Sequence, residues 1–513
     1  MIVTGRVRKG AYHDSVALMT VGKAVAAREG VTDAALVMGT EENKTILRAS
    51  GLWIEAFESA AATDLLIGVG AEDGERAEAA LDAAEEALRG AGARSGREDE
   101  EVRPSSLEGA LRVLPGADLA LVSVAGRWAG AEARKALEAG LHVMLFSDNV
   151  PLETEVELKR FARERGLLVM GPDCGTAIWN GVPLAFANVV RRGSVGIVAA
   201  SGTGLQEVSC LLDAEGAGVS QAIGTGGRDV SREVGGITFL QGIEALAADE
   251  ATRVILLIAK PPHPEVLARI RDAARAAGKP VVEFFLGSAV EGGPSSLEEA
   301  ALLAALLARG GDTAEVKRRI AARGEEIARI AADEAALRKP PRRWLRGLFS
   351  GGTFCSEAQI LLAPILAPIR SNHPVGGAEK LADSLKSEGH TLVDLGEDEF
   401  TRGRPHPMID YTLRNERIEA EAADPETAVI LLDVVLGYGA HPDPVAAWDG
   451  AIDAAASRVS VVASVTGTEG DPQGKGRVIE ALTAAGARVM PSNAAAALLA
   501  GRIAAAAERE AER

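Results

Sequence analysis

Short aliphatic runs alternate along the chain with longer segments whose apolar residues recur at helical spacing, and this alternation predicts an α/β protein. Near the N-terminus it predicts strands at 34–38 and 64–69, a helix from about Ser15 and another over 72–88. Three short strands and three helices make a small α/β domain at 1–100, for which a ferredoxin-like arrangement is one solution.

The stretch after this domain, at 90–106, concentrates Gly, Ser, Pro and charged residues without periodicity, which predicts a linker. Beyond it, apolar strands are expected at 119–124, 141–146 and 167–170, with helical segments between them. Strands that are apolar throughout are typical of a parallel sheet covered on both faces. We therefore assign a Rossmann-like domain to 101–192.

Two further doubly wound, flavodoxin-like domains are predicted, at 193–338 and 343–513. Between them lies the segment Lys339–Arg343, where two consecutive prolines interrupt a long helical pattern. In the last domain, apolar periodicity predicts a helix at 356–366 and a strand at 427–434.

One strand of the third domain, at 194–200, runs directly into a glycine-bearing turn that leads to a helix at 205–215. Such a turn directs free backbone N–H groups outward at the positive end of the helix dipole, which is an anion site. The predicted phosphate-binding residues are Ser201, Gly202, Thr203 and Gly204. The alternative is a turn in which glycine serves tight packing alone.

A second junction of strand, glycine turn and helix occurs in the last domain, at Gly437, Tyr438, Gly439 and Ala440, before a helix predicted at 444–455. Taken alone, this sequence is more typical of a simple loop. Two helix N-termini aimed at one point, however, would hold a phosphate. These four residues are therefore added to the predicted phosphate site.

Charged and polar residues concentrate in the loop 402–410, which contains Arg402, Arg404, His406 and Asp410, with a proline on each side of His406. Two guanidinium groups so close in sequence can clamp a carboxylate or a phosphate. The alternative is a surface loop whose charges are solvated. We favour the functional interpretation because the prolines restrict the backbone around His406.

Two more candidates lie at expected carboxyl ends of parallel strands, where ligands bind in doubly wound folds. Lys260 follows a strand at 253–258 and precedes two prolines. Gly226 and Gly227 belong to a glycine turn after a strand at 219–223. With Asp410, these glycines are predicted to form substrate loops.

Composition excludes several classes of partner. Lys plus Arg number 55 against 73 Asp plus Glu, a net charge of −18, which disfavours binding to nucleic acid. The cysteines Cys174, Cys210 and Cys355 are widely spaced, so we expect neither disulfides nor a metal site. The longest apolar run, 300–308, is too short to span a bilayer. A cytoplasmic protein without membrane partners is expected.

Several motifs carry a family resemblance: Gly171-Pro172-Asp173-Cys174, Gly196-Ile197-Val198 with Ser201-Gly202-Thr203, Gly224 to Gly227, and the strand 254–258. In order and spacing they resemble the α subunit of succinyl-CoA synthetase, and the segment after Gly347 resembles the carboxyl-terminal domain of its β subunit. Further motifs make the chain similar from end to end to the FdrA-like proteins of this superfamily: Tyr12 to Val16, Met38-Gly39-Thr40, Phe349 to Thr353 and the 402–410 loop.

The resemblance implies a CoA-binding-type domain at 101–192 and ligase-type domains after it. In succinyl-CoA synthetase, two facing helix ends hold a phosphohistidine. Here the corresponding segment, Leu286 to Gly293, contains no histidine, and the carboxylate that supports it is replaced near Lys260. The ATP-grasp domain that would bind nucleotide is absent from the sequence as well.

An anion site without a phosphate acceptor suits a substrate that is itself an acyl phosphate. FdrA-like proteins are linked to oxamate carbamoyltransfer in allantoin and purine catabolism, as one of several subunits. The resemblance therefore implies a carbamoyltransferase subunit that acts on carbamoyl phosphate, and it assigns no cofactor to this reaction. Arg402, Arg404 and Lys260 are candidates for holding the anionic co-substrate, and His406 for proton transfer or for polarising the carbonyl.

Two alternatives stay open. The first is an acyl-CoA synthetase completed by a separate ATP-binding subunit, in which CoA and ATP would be cosubstrates. The second is a non-catalytic scaffold subunit. Both, like the transferase, predict a hetero-oligomer with other subunits.

Overall fold

The computed structural model describes residues 2–11, 13, 15–93, 104, 106–288, 293–337, 340–402 and 404–511. The sequence motifs at Tyr12, Asp14, Lys339 and Gly403, most of the predicted linker and part of the 286–293 segment lie outside the described residues. Two compact units are formed: residues 1–105 with 398–405, and residues 106–397 with 406–513.

The first unit contains an antiparallel three-stranded sheet in the order β1-β3-β2. Its elements are β1 (Ile2–Arg8), α1 (Ser15–Ala26), β2 (Val31–Met38), α2 (Glu41–Ala49), β3 (Leu65–Ala71) and α3 (Gly74–Ala93). Alternate residues of the buried central strand, Leu65, Ile67 and Val69, pack with Leu18 of α1 and Leu81 of α3. Leu66 points to the opposite face and packs with Leu47 and Phe57. The small α/β domain and its three strands are confirmed, and residues 90–93 of the predicted linker belong to α3.

The second unit begins with a parallel sheet in the order β4-β5-β6. Its elements are α4 (Leu107–Val113), β4 (Leu119–Val122), α5 (Gly126–Glu138), β5 (His142–Leu145), α6 (Leu152–Arg163) and β6 (Val169–Met170). Ala129 and Ala133 of α5 pack on Val143 and Leu145 of β5. The Rossmann-like alternation predicted for this part of the chain is present.

A six-stranded sheet follows, in the order β12-β11-β9-β10-β7-β8. Its elements are β7 (Thr176–Trp179), β8 (Val182–Ala185), β9 (Arg192–Ala200), α7 (Gly202–Ala214), β10 (Val219–Gly224), α8 (Ile237–Ala248), β11 (Val254–Ala259), α9 (Pro264–Ala276), β12 (Val281–Phe285), α10 (Leu297–Arg309) and α11 (Ala314–Ala336). Strands β9 to β12 are parallel, and Ile197 of β9 pairs with Ala222 and Leu256. The hairpin β7–β8 is antiparallel and was not predicted.

The last sheet is parallel throughout, in the order β15-β14-β16-β13-β17-β18-β19. Its elements are β13 (Trp344–Phe349), α12 (Gly352–Leu362), β14 (Ile369–Ser371), β15 (Glu379–Lys380), β16 (His390–Asp394), α14 (Thr412–Ala423), β17 (Thr427–Val435), α15 (Pro444–Ala447), α16 (Ala451–Ala456), β18 (Ser460–Thr466), α17 (Lys475–Ala484), β19 (Arg488–Met490) and α18 (Asn493–Ala511). The short helix α13 (Asp398–Thr401) belongs to the first unit.

One hydrophobic core joins the last two sheets. Helices α7, α10, α12 and α18 contribute to it, and α18 presents a run of small side chains, Ala494 to Ala497, that lets its neighbours approach closely. The predicted fold class is confirmed: a small α/β domain, a Rossmann-like sheet and two flavodoxin-like sheets. The four domain boundaries stay a prediction.

Candidate anion-binding site

The turn between β9 and α7 has the predicted form of strand, turn and helix. Ser201 is the N-cap of α7, in extended conformation, and its Oγ accepts a hydrogen bond from the N–H of Gly204 at 3.1 Å. A Cβ on Gly202 would find only Thr176 Oγ1, 3.8 Å away, so this first turn of α7 borders open space. Free N–H groups at a helix start attract an anion.

The helix end that meets this turn belongs to α12. Ser201 Oγ lies 2.7 Å from Thr353 Oγ1, in the first turn of α12. A Cβ on Gly351 would lie 3.0 Å from Thr203 Cγ2 and 2.8 Å from Phe354, so this position leaves little room for a side chain. The two helix starts therefore come together at Ser201 and Thr353.

The predicted second helix end, at Gly437, Tyr438, Gly439 and Ala440, stays a prediction. The next helix, α15, begins only at Pro444 and is four residues long, and the helix predicted at 444–455 is divided between α15 and α16. Gly437 and Gly439 instead pack against the segment 186–188, where a Cβ would lie 2.6 Å from Ala187 O and 2.8 Å from the Phe186 ring. Their part in anion binding stays a prediction without support from the cavity lining.

A cavity of about 200 Å³ lies at the junction of α7 and α12. Its polar lining combines the two helix starts with one amino group and three carboxyl groups: Ser201, Gly202, Thr203, Gly352, Thr353, Lys260, Asp173, Asp394 and Glu397. The remaining wall is formed by residues 174–176, 199–200, Gly224, Gly226 and Gly227. Lys260, Gly226 and Gly227 are thus brought to the predicted anion turn.

The glycine turn after β10 is held by a buried ionic network. Lys159 Nζ donates to Glu155 at 2.8 Å, to Asp229 at 2.7 Å and to the carbonyl of Thr225 at 3.0 Å. A Cβ on Gly226 would lie 2.2 Å from Pro172 O, which only glycine accommodates at its positive φ of 80°. Gly227 has open space around it and faces the cavity.

A second buried carboxylate fixes the turn before α12. Asp433, at 0% exposure, accepts hydrogen bonds from the N–H of Ser350 at 2.8 Å, the Ser350 hydroxyl at 2.8 Å and the N–H of Gly351 at 2.9 Å. Arg414 pairs with Asp433 at 3.0 Å and neutralises it. Asp433 thereby sets the direction in which α12 begins.

Asp394 and Glu397, which the sequence analysis did not single out, line the cavity. Asp394 ends β16 and is only 4% exposed. Burial raises the pKa of Asp394 to about 7, the charges of Glu397 and Asp433 add to the rise, and the N–H of Gly396 and the charge of Lys260 oppose it. The pKa of Glu397 is lowered, mainly by its hydrogen bond with His373, whose Nδ1 lies 3.2 Å away.

His406 lies close to this carboxyl group but outside the cavity lining. A Cβ on Gly396 would lie 2.8 Å from His406 Nε2 and 3.1 Å from Asp394 Oδ1, so only glycine permits this approach. Burial lowers the pKa of His406 to about 4, so the ring is neutral at neutral pH. Its Nδ1 accepts the N–H of Met408, which places the remaining proton on Nε2.

The other candidate residues of the 402–410 loop belong to different compact units. Arg402 and Arg404 are exposed and belong to the first unit, where Arg402 lies 3.8 Å from Asp398. Asp410 belongs to the second unit and accepts the N–H of Thr412 at 2.8 Å, at the start of α14. The proposed clamp by two arginines stays a prediction.

Cys174 contributes a wall of the cavity but no reactive thiolate. It is 2% exposed, and burial raises the pKa of its thiol to about 12. Its Sγ contacts the carbonyl oxygens of Gly224 and Thr176 at 3.4 and 3.5 Å. Among the described residues, none of the groups of His, Cys, Asp and Glu has an arrangement that could hold a metal ion.

Comparison with known proteins places these elements in a class. Residues 190–287 match the family model of a CoA binding domain, and residues 348–503 match that of CoA-ligase. An archaeal relative, the succinate–CoA ligase [ADP-forming] subunit alpha 1 of Archaeoglobus fulgidus, is 27% identical over 45% of this chain and 76% of its own length. The chain belongs to the succinyl-CoA synthetase/CoA-ligase superfamily.

Within that class the family is defined by a relative of nearly full length. The uncharacterized protein YahF of Escherichia coli K12 is 43% identical over 447 residues, which cover 86% of this chain and 85% of YahF. This chain belongs to the YahF family. Among solved structures, PH0766 from Pyrococcus horikoshii covers 77% of this chain and 85% of its own, with 15% identity and a TM-score of 0.31.

The first unit matches the family model named AllF, heavy metal-associated domain, over residues 1–104, in agreement with the FdrA-like resemblance. Residues 1–104 contain no cysteine, which is the ligand that soft metals prefer. A heavy-metal site therefore does not fit this domain.

A CoA site of the dinucleotide-binding kind does not fit the start of α5 either. The backbone of Asp148 and Asn149 lies against Gly126, where a Cβ would approach Asp148 O to 2.2 Å. No helix in the described ranges is long and apolar enough to cross a membrane.

Proposed function

We propose that this chain is the phosphate-binding subunit of a multi-subunit carbamoyl or acyl transferase that acts on a small acyl phosphate such as carbamoyl phosphate. The observation that carries the proposal is the cavity between α7 and α12. It offers two helix starts, the hydroxyls of Ser201, Thr203 and Thr353, and Lys260, and it contains no histidine among its described lining residues. The phosphoryl group would then arrive on the substrate and leave as free phosphate.

The size of the cavity supports a small substrate. A volume of about 200 Å³ lies below the range of about 300–1,000 Å³ that encloses larger organic ligands. In the proposed reaction the phosphoryl oxygens lie against the helix starts of α7 and α12, and an amide nitrogen of the acceptor attacks the carbonyl carbon. Phosphate then departs while it is held by the same N–H groups.

The acceptor side of the proposal comes from the FdrA-like resemblance, which links such proteins to oxamate carbamoyltransfer in allantoin and purine catabolism. Lys260 lies in the cavity wall and is a candidate for holding the anionic co-substrate. Arg402 and Arg404 stay candidates for the same role. The neutral His406, with its proton on Nε2, suits polarisation of a carbonyl better than proton transfer.

The second candidate is an acyl-CoA synthetase that requires a separate ATP-binding subunit. The matches to the CoA-binding and CoA-ligase families favour it. In that case the same cavity would hold the acyl phosphate formed from ATP, and CoA would be the acceptor. Partner subunits are part of both proposals, since one relative named above is a ligase subunit.

The test is to purify the chain with the products of its neighbouring genes and to measure phosphate release from carbamoyl phosphate with and without oxamate. We expect release that depends on oxamate and needs neither ATP nor CoA. Hydroxamate formation that requires both ATP and CoA would replace the transferase by the ligase. A complex without either activity would support the scaffold alternative.

A further inference from the structure

Asp394 stands out among the cavity-lining groups because one of its oxygens is free. Oδ1 accepts the N–H of Gly396 at 2.9 Å. Oδ2 accepts no hydrogen bond from the described residues, although Asp394 is only 4% exposed. Because Asp394 lines the cavity, Oδ2 is left for a ligand or a proton to satisfy.

The free oxygen points to the place where an anion would bind. A Cβ on Gly352, the first residue of α12, would lie 2.5 Å from Asp394 Oδ2. The carboxyl group therefore sits beside the N-terminus of the helix that closes the cavity. A charged carboxylate in this position would repel a phosphoryl anion, whereas a carboxylic acid would donate a hydrogen bond to it.

We infer that Asp394 is the proton-transfer residue of this cavity and donates its carboxyl proton to an oxygen of the bound phosphoryl group. This inference rests on the proposed acyl-phosphate chemistry of the site. It holds for either acceptor, because an amide N–H and a thiol S–H each lose one proton when the new bond to the carbonyl carbon forms.

The chemistry balances with one proton. The acceptor nitrogen forms a bond to the carbonyl carbon, and the bond between that carbon and the bridging oxygen breaks. The electron pair of the broken bond stays on phosphate, which takes the proton of Asp394. The carboxylate then receives the proton that the acceptor nitrogen has lost, so carbamoyl phosphate and an amide yield the carbamoylated amide and hydrogen phosphate.

Asp394 differs from the neighbouring charged and titratable groups in its partners and in the direction of its pKa shift. Glu397 pairs with His373, and its pKa is lowered, so it stays ionised. Asp433 is neutralised by Arg414 and engaged by Ser350 and Gly351. Lys260 lines the same cavity, and the nearby His406 is neutral at neutral pH. Two carboxyl groups with pKa values pushed apart are a pattern of acid and base in one site.

Sulfate is a suitable probe, because it has the shape of phosphate but stays a dianion across the neutral pH range. We expect sulfate affinity for the full-length chain, measured by calorimetry, to fall about tenfold per pH unit between about pH 7.5 and about pH 8.5. In Asp394→Asn, which keeps an oxygen for the N–H of Gly396, the affinity is expected to be independent of pH in this range. Asp394→Ser serves if the asparagine variant does not fold.

The control Asp383→Asn removes a carboxylate that pairs with Lys386 on the surface, and the pH slope should survive it. A pH slope that persists in the Asp394 variants would overturn the inference, and so would wild-type sulfate binding that shows no slope. In the partner-containing complex, Asp394→Asn should also lower phosphate release on the order of 10²-fold or more. The Asp394 variants could lose the pH dependence of sulfate affinity while the wild-type complex does not turn over carbamoyl phosphate. That result would refute the proposed substrate but not the role of Asp394.

Discussion

Substitution of Gly202 by aspartate tests the anion site directly. A Cβ at this position has no neighbour closer than 3.8 Å, and the residue is the first of α7. An aspartate there meets no steric obstacle and is favoured by the helix dipole by about 0.3–1 kcal/mol. Gly202→Asp should therefore fold, while its carboxylate occupies the space where an anion would bind.

The expected loss of binding follows from Coulomb's law. Two like charges about 4 Å apart repel by about 4 kcal/mol at an effective dielectric constant of about 20. That energy corresponds to a weakening of phosphate or sulfate binding by about 10³-fold. Because the phosphoryl group carries more than one charge, this value is a lower bound for a dianion.

The assay is calorimetric titration of the purified chain with phosphate, beside unfolding by urea to show that the variant is folded. Gly202→Asn is the matched control, since it has the same size without the charge. We expect the asparagine variant to bind far more tightly than the aspartate variant. Equal affinities of the two variants, or wild-type affinity in Gly202→Asp, would refute an anion site at the start of α7.

Two further predictions concern residues that support the site. Asp433→Ala should lower the free energy of unfolding by about 3–5 kcal/mol, because it leaves the buried Arg414 without its carboxylate; a loss below about 1 kcal/mol in urea unfolding would contradict this. The pKa of His406 in the folded chain, about 4, lies below the ordinary value of 6.5. Between these two pH values only the unfolded chain takes up a proton on this residue. The free energy of unfolding therefore falls as the pH drops through this range. His406→Gln should remove about 1–3 kcal/mol of that fall, and an unchanged pH dependence of unfolding would speak against the buried neutral ring.

The larger elements of the fold could be predicted because their sequence patterns coincide with burial. The strand before Ser201 is apolar, and Ser201 itself can cap a helix, so both β9 and α7 follow from local chemistry. The hairpin of β7 and β8 was missed although it carries a turn signal. Asn180 and Gly181, both with positive φ, form its two-residue turn, which is the preferred sequence for tight hairpins.

The start of α12 was predicted four residues too late, for a related reason. Apolar periodicity predicted a helix from Ser356, whereas α12 begins at Gly352. The first turn of this helix consists of Gly352, Thr353 and Phe354, and no side chain caps it. The turn before it is held by Asp433, 82 residues further along the chain, which accepts a hydrogen bond from the N–H of Gly351. Contacts of this kind leave no local pattern in a sequence.

Asp394 and Glu397 were missed because their meaning depends on neighbours from other strands. The available signal was position, since Asp394 ends the apolar strand β16 and Glu397 follows it at the carboxyl edge of a parallel sheet. The same rule had drawn attention to Lys260. Its application to every strand end of the last sheet would have found Asp394 as well.

We propose that phosphate reaches this cavity on a substrate and leaves without bonding to the protein. The direct measurement uses carbamoyl phosphate with radiolabelled phosphorus, oxamate and the complex of this chain with its partner subunits. We expect that all label is recovered as free phosphate and that rapidly quenched protein carries none. Acid-labile label on this chain during turnover would contradict it.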